Sequence, residues 1–208
     1  MLVSAGPSLD DNIGFLRESK GKRIIIAVNT VVKKLKLEGI TPDIIVMLSP
    51  EQILKKHLEG IEDFTTNIPL VMPICGSRSF VSIYRGPIYS IDQELLSRDD
   101  SWDFGGTVTS LALNLAFYLK SSSIYLVGSD LAFTGGRNFS KDVAHGEYEN
   151  IDNELRVESS DGGSVQTNQL YNSFREIIER QISRHPGVKV YNLAEHGAKI
   201  KGTIVTGM

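Results

Sequence analysis

One cysteine, Cys75, stands among 208 residues. That scarcity excludes an intrachain disulfide framework and a cysteine-based zinc cluster, and it fits a reducing compartment. No apolar run reaches the ~18 residues that a membrane span needs. The start carries no basic region ahead of an apolar one, so it does not read as a signal peptide; the expected location is the cytoplasm. Charge of one sign is also lacking. Lys and Arg number 22 against 25 Asp and Glu, a formal net charge of −3, and no basic stripe appears. Nucleic acid is therefore not an expected partner. The G-x-x-x-x-G-K-[ST] phosphate loop and the G-x-G-x-x-G dinucleotide fingerprint are both missing. So is the G-x-S-x-G nucleophile elbow. No His and Asp residues recur at metal-ligand spacing. A phosphate-loop NTPase, a nicotinamide-dependent dehydrogenase and a triad hydrolase all lose support.

The composition that remains is that of a globular protein, 41% hydrophobic and 23% charged. The length suits one α/β domain, 1–208, with a real core. The chain opens directly in an apolar strand, Met1-Leu2-Val3, as an excised piece of a longer protein would. Arg23-Ile24-Ile25-Ile26-Ala27-Val28, Asp43-Ile44-Ile45-Val46-Met47-Leu48, Pro69-Leu70-Val71-Met72-Pro73-Ile74 and Ser123-Ile124-Tyr125-Leu126-Val127 are near-continuous apolar runs, the mark of strands buried on both faces. Helical patterns fall between them at 9–19, 30–38 and 51–58, with Gly21 and Gly39 near the first two C-terminal ends. A largely buried helix is expected over 107–119. An amphipathic one is expected over 166–183, striped by Leu170, Phe174, Ile177, Ile178 and Ile182. Val188-Lys189-Val190-Tyr191 closes the series as a late strand. The fold class is therefore α/β, a Rossmann-like, mostly parallel sheet with helices on both faces. No internal repeat appears. The longest stretch without a pattern, 129–165, reads as a lid or binding loop.

Ligands of open parallel sheets bind outside the carboxyl ends of the strands. Small hydrogen-bonding residues gather there. Gly6-Pro7-Ser8 follows the first strand, Asn29 the second, Ser49-Pro50-Glu51 the third and Gly76-Ser77 the fourth, while Gly128-Ser129-Asp130 follows the run at 123–127. Gly105-Gly106-Thr107 opens the buried helix. Gly6-Pro7-Ser8 is the most informative of these. A tight turn into a helix exposes backbone N–H groups at the positive end of the helix dipole, an anion site. Gly6 admits a close backbone approach, Pro7 loses no useful donor at a helix start, and Ser8 either caps the helix or bonds a phosphate oxygen. A capped turn without a ligand remains the alternative. Taken together the strand ends favour a ligand containing phosphate.

Several stretches resemble a known family. Gly6-Pro7-Ser8-Leu9, Ala27-Val28-Asn29, Pro42-Asp43, Tyr125-Leu126-Val127-Gly128-Ser129-Asp130-Leu131-Ala132 and Tyr191-Asn192-Leu193-Ala194-Glu195-His196-Gly197-Ala198-Lys199-Ile200-Lys201-Gly202 lie in register with the motility-associated factor (Maf) glycosyltransferases. That group is similar to the 6-hydroxymethylpterin pyrophosphokinase-like domains and to the bacterial sialyltransferases that use CMP-activated donors. The resemblance implies a Rossmann-like sheet and transfer of a nonulosonic acid from a CMP-linked nucleotide-sugar, with flagellin Ser or Thr as acceptor. It implies no required cofactor. Mg2+ enters only if the chain instead transfers diphosphate from ATP. A nucleotide-binding module without catalysis is the third reading.

The resemblance also implies roles. Gly6, Pro7 and Ser8 would line the nucleotide phosphate, and Asn29 the ribose or donor sugar. Gly105, Gly106 and Thr107 would offer N–H groups to the nucleotide. Gly128, Ser129 and Asp130 would hold its base or sugar edge, unless Asp130 merely caps a turn. His145, in the lid, would be the general base, with His196 next in line. His57, in a Lys-Lys-His helix, is expected to be solvated, and His185 to answer a helix dipole. Trp102 and Phe104 either anchor their loop or stack on a base. Three positions depart from the pattern. Ser4 stands where relatives usually have Gly, Ser49 where they often have a carboxylate, and Phe133 where a tyrosine is usual. Loss of a carboxylate at 49 tilts the choice away from a magnesium-dependent pyrophosphokinase.

Overall fold

The computed structural model describes residues 1–48, 57, 59–74, 84–92, 105–143 and 155–206. Eight strands form one sheet: β1 (Leu2–Val3), β2 (Ile26–Val28), β3 (Ile44–Val46), β4 (Leu70–Pro73), β5 (Ile88–Ile91), β6 (Ser123–Val127), β9 (Lys189–Asn192) and β10 (Thr203–Val205). Their spatial order is β10-β9-β6-β1-β2-β3-β4-β5, and every neighbouring pair is parallel. The expected α/β class holds. β7 (Leu155–Glu158) and β8 (Ser164–Thr167) form a separate antiparallel hairpin.

The apolar runs explain the layering. Successive strand side chains point to opposite faces. Leu2, Ile26 and Leu126 therefore pack with Leu111 and Leu115 of α3 (Val108–Tyr118) and Ile178 and Ile182 of α4 (Gln169–Ser183). Their neighbours Val3, Ala27 and Val127 pack on the other face with Leu9, with Ile13 and Leu16 of α1 (Ile13–Ser19) and with Leu35 of α2 (Val32–Leu37). Both faces are covered, as near-continuous hydrophobic strands require. Helix α3 is buried throughout 109–117. Among the described residues no helix is long and apolar enough to cross a membrane.

Several boundaries differ from expectation for identifiable reasons. The 9–19 helix begins only at Ile13, because Pro7–Leu9 forms a 3-10 turn closed by Leu9 N–H to Gly6 O and Asp10 N–H to Pro7 O. Likewise Asn29–Val31 is a 3-10 turn ahead of α2. Strand β2 starts late, since the Ile25 N–H is taken by the Asp43 side chain at 2.7 Å. The 166–183 helix starts at Gln169, where Asn168 accepts the Tyr171 N–H at 2.7 Å and caps it. The 129–165 stretch is not structureless: the β7–β8 hairpin occupies its last part. Strands β5 and β10 were not anticipated. Both sit at sheet edges and expose Tyr89, Ile204 and Val205, so neither shows a buried-strand pattern. The expected helix at 51–58, except His57, and His145 lie outside the described residues, as do Ser49, Trp102 and Phe104.

Leu126 is fully buried in the strand beside β1 and touches the α3 layer. Leu126→Ala is expected to lower unfolding free energy by about 2–5 kcal/mol, the usual cost of a leucine-sized cavity, as measured by urea denaturation.

Candidate functional site

β1 is the switch point of the sheet. From it the chain runs outward through β2 to β5, then returns to place β6 on its other side. The loops leaving β1 and β6 diverge there and leave a crevice at the carboxyl edge. A cleft of about 350 Å³ occupies it, and Gly6, Asn29, Gly106, Thr107, Gly128, Ser129 and Asp130 line it. Residues from four separate segments of the sequence thus converge, as the strand-end reading anticipated. Pro7, Ser8 and Gly105 are not among the lining residues.

The Gly6–Ser8 turn is already occupied, by the protein's own Asp130 carboxyl group. Asp130 is buried, with both carboxylate oxygens facing Ser8. The Ser8 N–H lies 3.1 and 3.2 Å from Oδ1 and Oδ2, and the Ser8 hydroxyl donates to Oδ2 at 2.6 Å. Thr134 Oγ1 donates to Oδ1 at 3.0 Å. Burial raises the Asp130 carboxyl above its ordinary value, and the Ser8 and Thr134 hydrogen bonds only partly offset this. A Cβ on Gly6 would lie 2.6 Å from Gly128 O and would strike the Asp130 carboxylate. Gly6 N–H donates to that same Gly128 carbonyl at 2.8 Å. Gly128 itself has φ +70°, a conformation that suits glycine. Gly6→Val would therefore break the turn itself and cannot serve as a clean probe of a ligand.

With the turn's donors engaged, two helix N-termini remain at the cleft, that of α4 through Asn168, Leu170 and Tyr171 and that of α3. Gly106, Thr107 and Val108 line the cleft there, and the first amides of a helix have no intrahelical partner. Thr107 caps α3 by accepting the Thr109 N–H. Gly105 backs onto Ile177 of α4. A row of hydroxyls crosses the cleft floor: Ser129 Oγ donates to Ser4 Oγ at 3.4 Å, and Ser4 Oγ lies 3.1 Å from Thr109 Oγ1. Ser4, which stands where relatives usually have glycine, thus ties the β1 loop to α3. Leu170, Tyr171 and Phe174 form an apolar wall. The stripe expected along α4 divides, with Ile178 and Ile182 in the core and Leu170 and Phe174 at the cleft.

Asn138 and Phe139 make another wall, one the sequence reading did not identify. Asp10 holds this segment in place. It accepts from Lys34 Nζ at 2.8 Å, Arg137 at 2.7 Å and the Ser140 hydroxyl at 2.5 Å. Ser140 N–H donates to Ala5 O at 2.8 Å. Burial alone would raise the Asp10 carboxyl, but the Lys34, Ser140 and Arg137 hydrogen bonds outweigh it and hold the group well below the usual carboxylate range. An acidic residue straight after Gly-Pro-Ser-Leu and a buried lysine in α2 were the available signals. Neither carries a recognisable spacing.

His57 departs from expectation, whereas His185 answers the C-terminal end of α4 as expected. His57 is 1% exposed, not solvated, and its Nδ1 lies 2.6 Å from Asn29 Nδ2. His185 stacks on Phe117 with ring centroids 3.8 Å apart and bonds Gln181 O. His196 does not line the cleft of Gly6 and Asp130. It borders a second one of about 400 Å³, beside the hairpin, and pairs with Asp161 at 2.8 Å. That hydrogen bond raises the His196 imidazole.

The model of the 6-hydroxymethylpterin diphosphokinase MptE-like proteins matches residues 1–136. The chain belongs to this family. Its match covers β1, β2, β6 and the Gly6–Asp130 contact, hence most of the cleft. The MptE-like chain is also similar to a solved structure, the Maf glycosyltransferase from Magnetospirillum magneticum AMB-1. The TM-score is 0.79 at 23% identity, over 98% of this chain and 32% of that one. The likeness establishes a shared fold, and the chain spans about a third of that protein's length. No curated protein matches.

The Asp10 clamp predicts a pH dependence. Its carboxyl titrates lower when folded than when unfolded. The stability it contributes is therefore complete above its ordinary value of 3.8 and is lost as pH falls below that. Asp10→Asn is expected to be less stable at pH 7 and to lose less stability on acidification, as read by urea unfolding across the acid range.

Proposed function

We propose that this MptE-like chain is a glycosyltransferase-like domain. It binds a CMP-activated nonulosonic acid in the cleft at β1 and β6 and transfers the sugar to a hydroxyl, with flagellin Ser or Thr as the acceptor. One observation carries this reading. Among the described residues lining the cleft, Asp130 is the single charged one, and its oxygens are occupied by Ser8 and Thr134. What remains facing a ligand is hydroxyl, amide and apolar surface. Such a cleft suits a leaving group that needs fixed dipoles more than a metal. The α3 N-terminus at Gly106, Thr107 and Val108 supplies these to the CMP phosphate as its bond to the sugar breaks. The Gly6–Ser8 turn does not touch the phosphate in this scheme; it fixes Asp130 and thereby the β6 loop. Phe139, Tyr171 and Phe174 exclude water from the activated sugar, for which water competes with the acceptor. The likeness in fold to a Maf glycosyltransferase supports the reading.

The family's own description favours a second reading, diphosphate transfer from Mg-ATP to a pterin. A magnesium site needs oxygen ligands, carboxylates above all. Among the described residues no cluster of three His, Cys, Asp or Glu could hold a metal, and Asp130 is engaged.

Thermal unfolding distinguishes the two readings, since a ligand stabilises the native state according to its concentration and affinity. CMP is expected to raise Tm, with EDTA leaving the shift intact. A shift produced by ATP and Mg2+ but not by CMP would transfer the assignment to the pyrophosphokinase. His145 is retained as the general base on the strength of the resemblance. His145→Ala is then expected to lower turnover by roughly two to four powers of ten with CMP affinity kept. An unchanged rate in this variant rejects His145.

A further inference from the structure

Asn29 and His57 form a buried polar pair. Asn29 is 2% exposed and His57 1%. They come from different segments, 28 residues apart, and meet through Asn29 Nδ2 and His57 Nδ1 at 2.6 Å. Two polar side chains this deep cost stability unless the contact is good. An apolar pair would fill the same space at no such cost. The pairing has a directional consequence. An amide has a donor end and an acceptor end. With Nδ2 donating to the imidazole, Oδ1 is the end left over. Among the described residues it has no hydrogen-bond partner, while Asn29 itself lines the cleft.

We infer that His57 is a positioning residue. It holds the Asn29 amide so that Oδ1 faces the cleft and accepts a hydrogen from a hydroxyl or amino group of the ligand's nucleoside, not from its phosphate. The inference rests on the CMP reading for the identity of the ligand, but the pairing does not. An oxygen acceptor repels a phosphate oxygen and attracts a sugar hydroxyl or a base amino group. The amide orientation is thus a specificity device, built from a residue that never touches the ligand. His57 needs a neutral Nδ1 to accept, with its proton on Nε2.

The test uses two substitutions at one position. His57→Asn places an oxygen acceptor close to where Nδ1 lies; His57→Phe keeps the bulk and removes the acceptor. In the free protein, the Asn29 side-chain amide is followed by 15N-correlated NMR. It is expected to exchange slowly with solvent in wild type and in His57→Asn, and quickly in His57→Phe. In calorimetric titrations His57→Phe is expected to weaken CMP and cytidine alike by about tenfold, the scale of one hydrogen bond. His57→Asn recovers most of the affinity. His57→Phe combined with Asn29→Ala binds no worse than Asn29→Ala alone, because the two act as one unit. Circular dichroism and Tm confirm that each variant folds. A folded His57→Phe with an unchanged Asn29 amide signal overturns the pairing. A loss confined to CMP and absent with cytidine overturns the orientation, since the amide would then meet phosphate. Wild type that ignores CMP yet shows the protected amide overturns the donor reading and upholds the pair.

Discussion

The contact on which the site depends is the carboxylate of Asp130 seated in the Gly6–Ser8 turn. It joins the loops after the two central strands, β1 and β6, whose carboxyl ends would otherwise separate at the switch point. A buried carboxylate is costly without partners. Here the Ser8 N–H, the Ser8 hydroxyl and the Thr134 hydroxyl supply them. The approach is so close that a side chain at Gly6 would strike the carboxylate, and one at Gly128 would strike the Ser4 carbonyl. The two glycines and the aspartate therefore form one unit. Gly197 belongs to it as well, since a Cβ there would lie 2.8 Å from Asp130 Cα, and Ala198 N–H donates to Asp130 O at 2.8 Å.

This unit changes which donors remain for a ligand. A strand-turn-helix with Gly-Pro-Ser reads as a phosphate cradle, and its physics is that of an anion site. The protein fills that site from within. In the function proposed above, a ligand anion is met instead by α3, whose N-terminal end lines the cleft at Thr107. The hydroxyls of Ser129, Ser4 and Thr109 connect the β6 loop, the β1 loop and the start of α3. A substitution at Ser4 would act on both contacts, because its hydroxyl is the middle member of that row.

The architecture was legible because buried parallel strands need apolar residues on both faces, and 43–48, 69–74 and 123–127 supply them without interruption. The edge strands β5 and β10 were not, since an edge residue such as Tyr89 carries no such constraint. The cleft was half legible. Strand ends identify which segments meet at the carboxyl edge, so Gly6, Asn29, Gly106, Thr107, Gly128, Ser129 and Asp130 could be named together. Sequence order gives no warning that Asp130 would consume the donors of Ser8, for the contact spans 122 residues. Nor does it show that Asp10 would fix the Asn138–Phe139 wall, or that the histidine of a Lys-Lys-His run would turn inward to Asn29. Each of these is a long-range pairing of polar groups, with no period for a pattern to detect.

Asp10 and Asp130 show how much the partners matter. Both carboxylates lie near the β1 turn and both accept several hydrogen bonds. Asp10 meets two cations, Lys34 and Arg137, and is held well below its ordinary value despite its burial. Asp130 meets only hydroxyls and backbone amides, and burial wins. The difference leaves Asp10 paired with cations away from the cleft lining and Asp130 paired with neutral dipoles within it. An anionic ligand entering beside Asp130 would push that carboxyl higher still, because a neighbouring like charge disfavours ionisation.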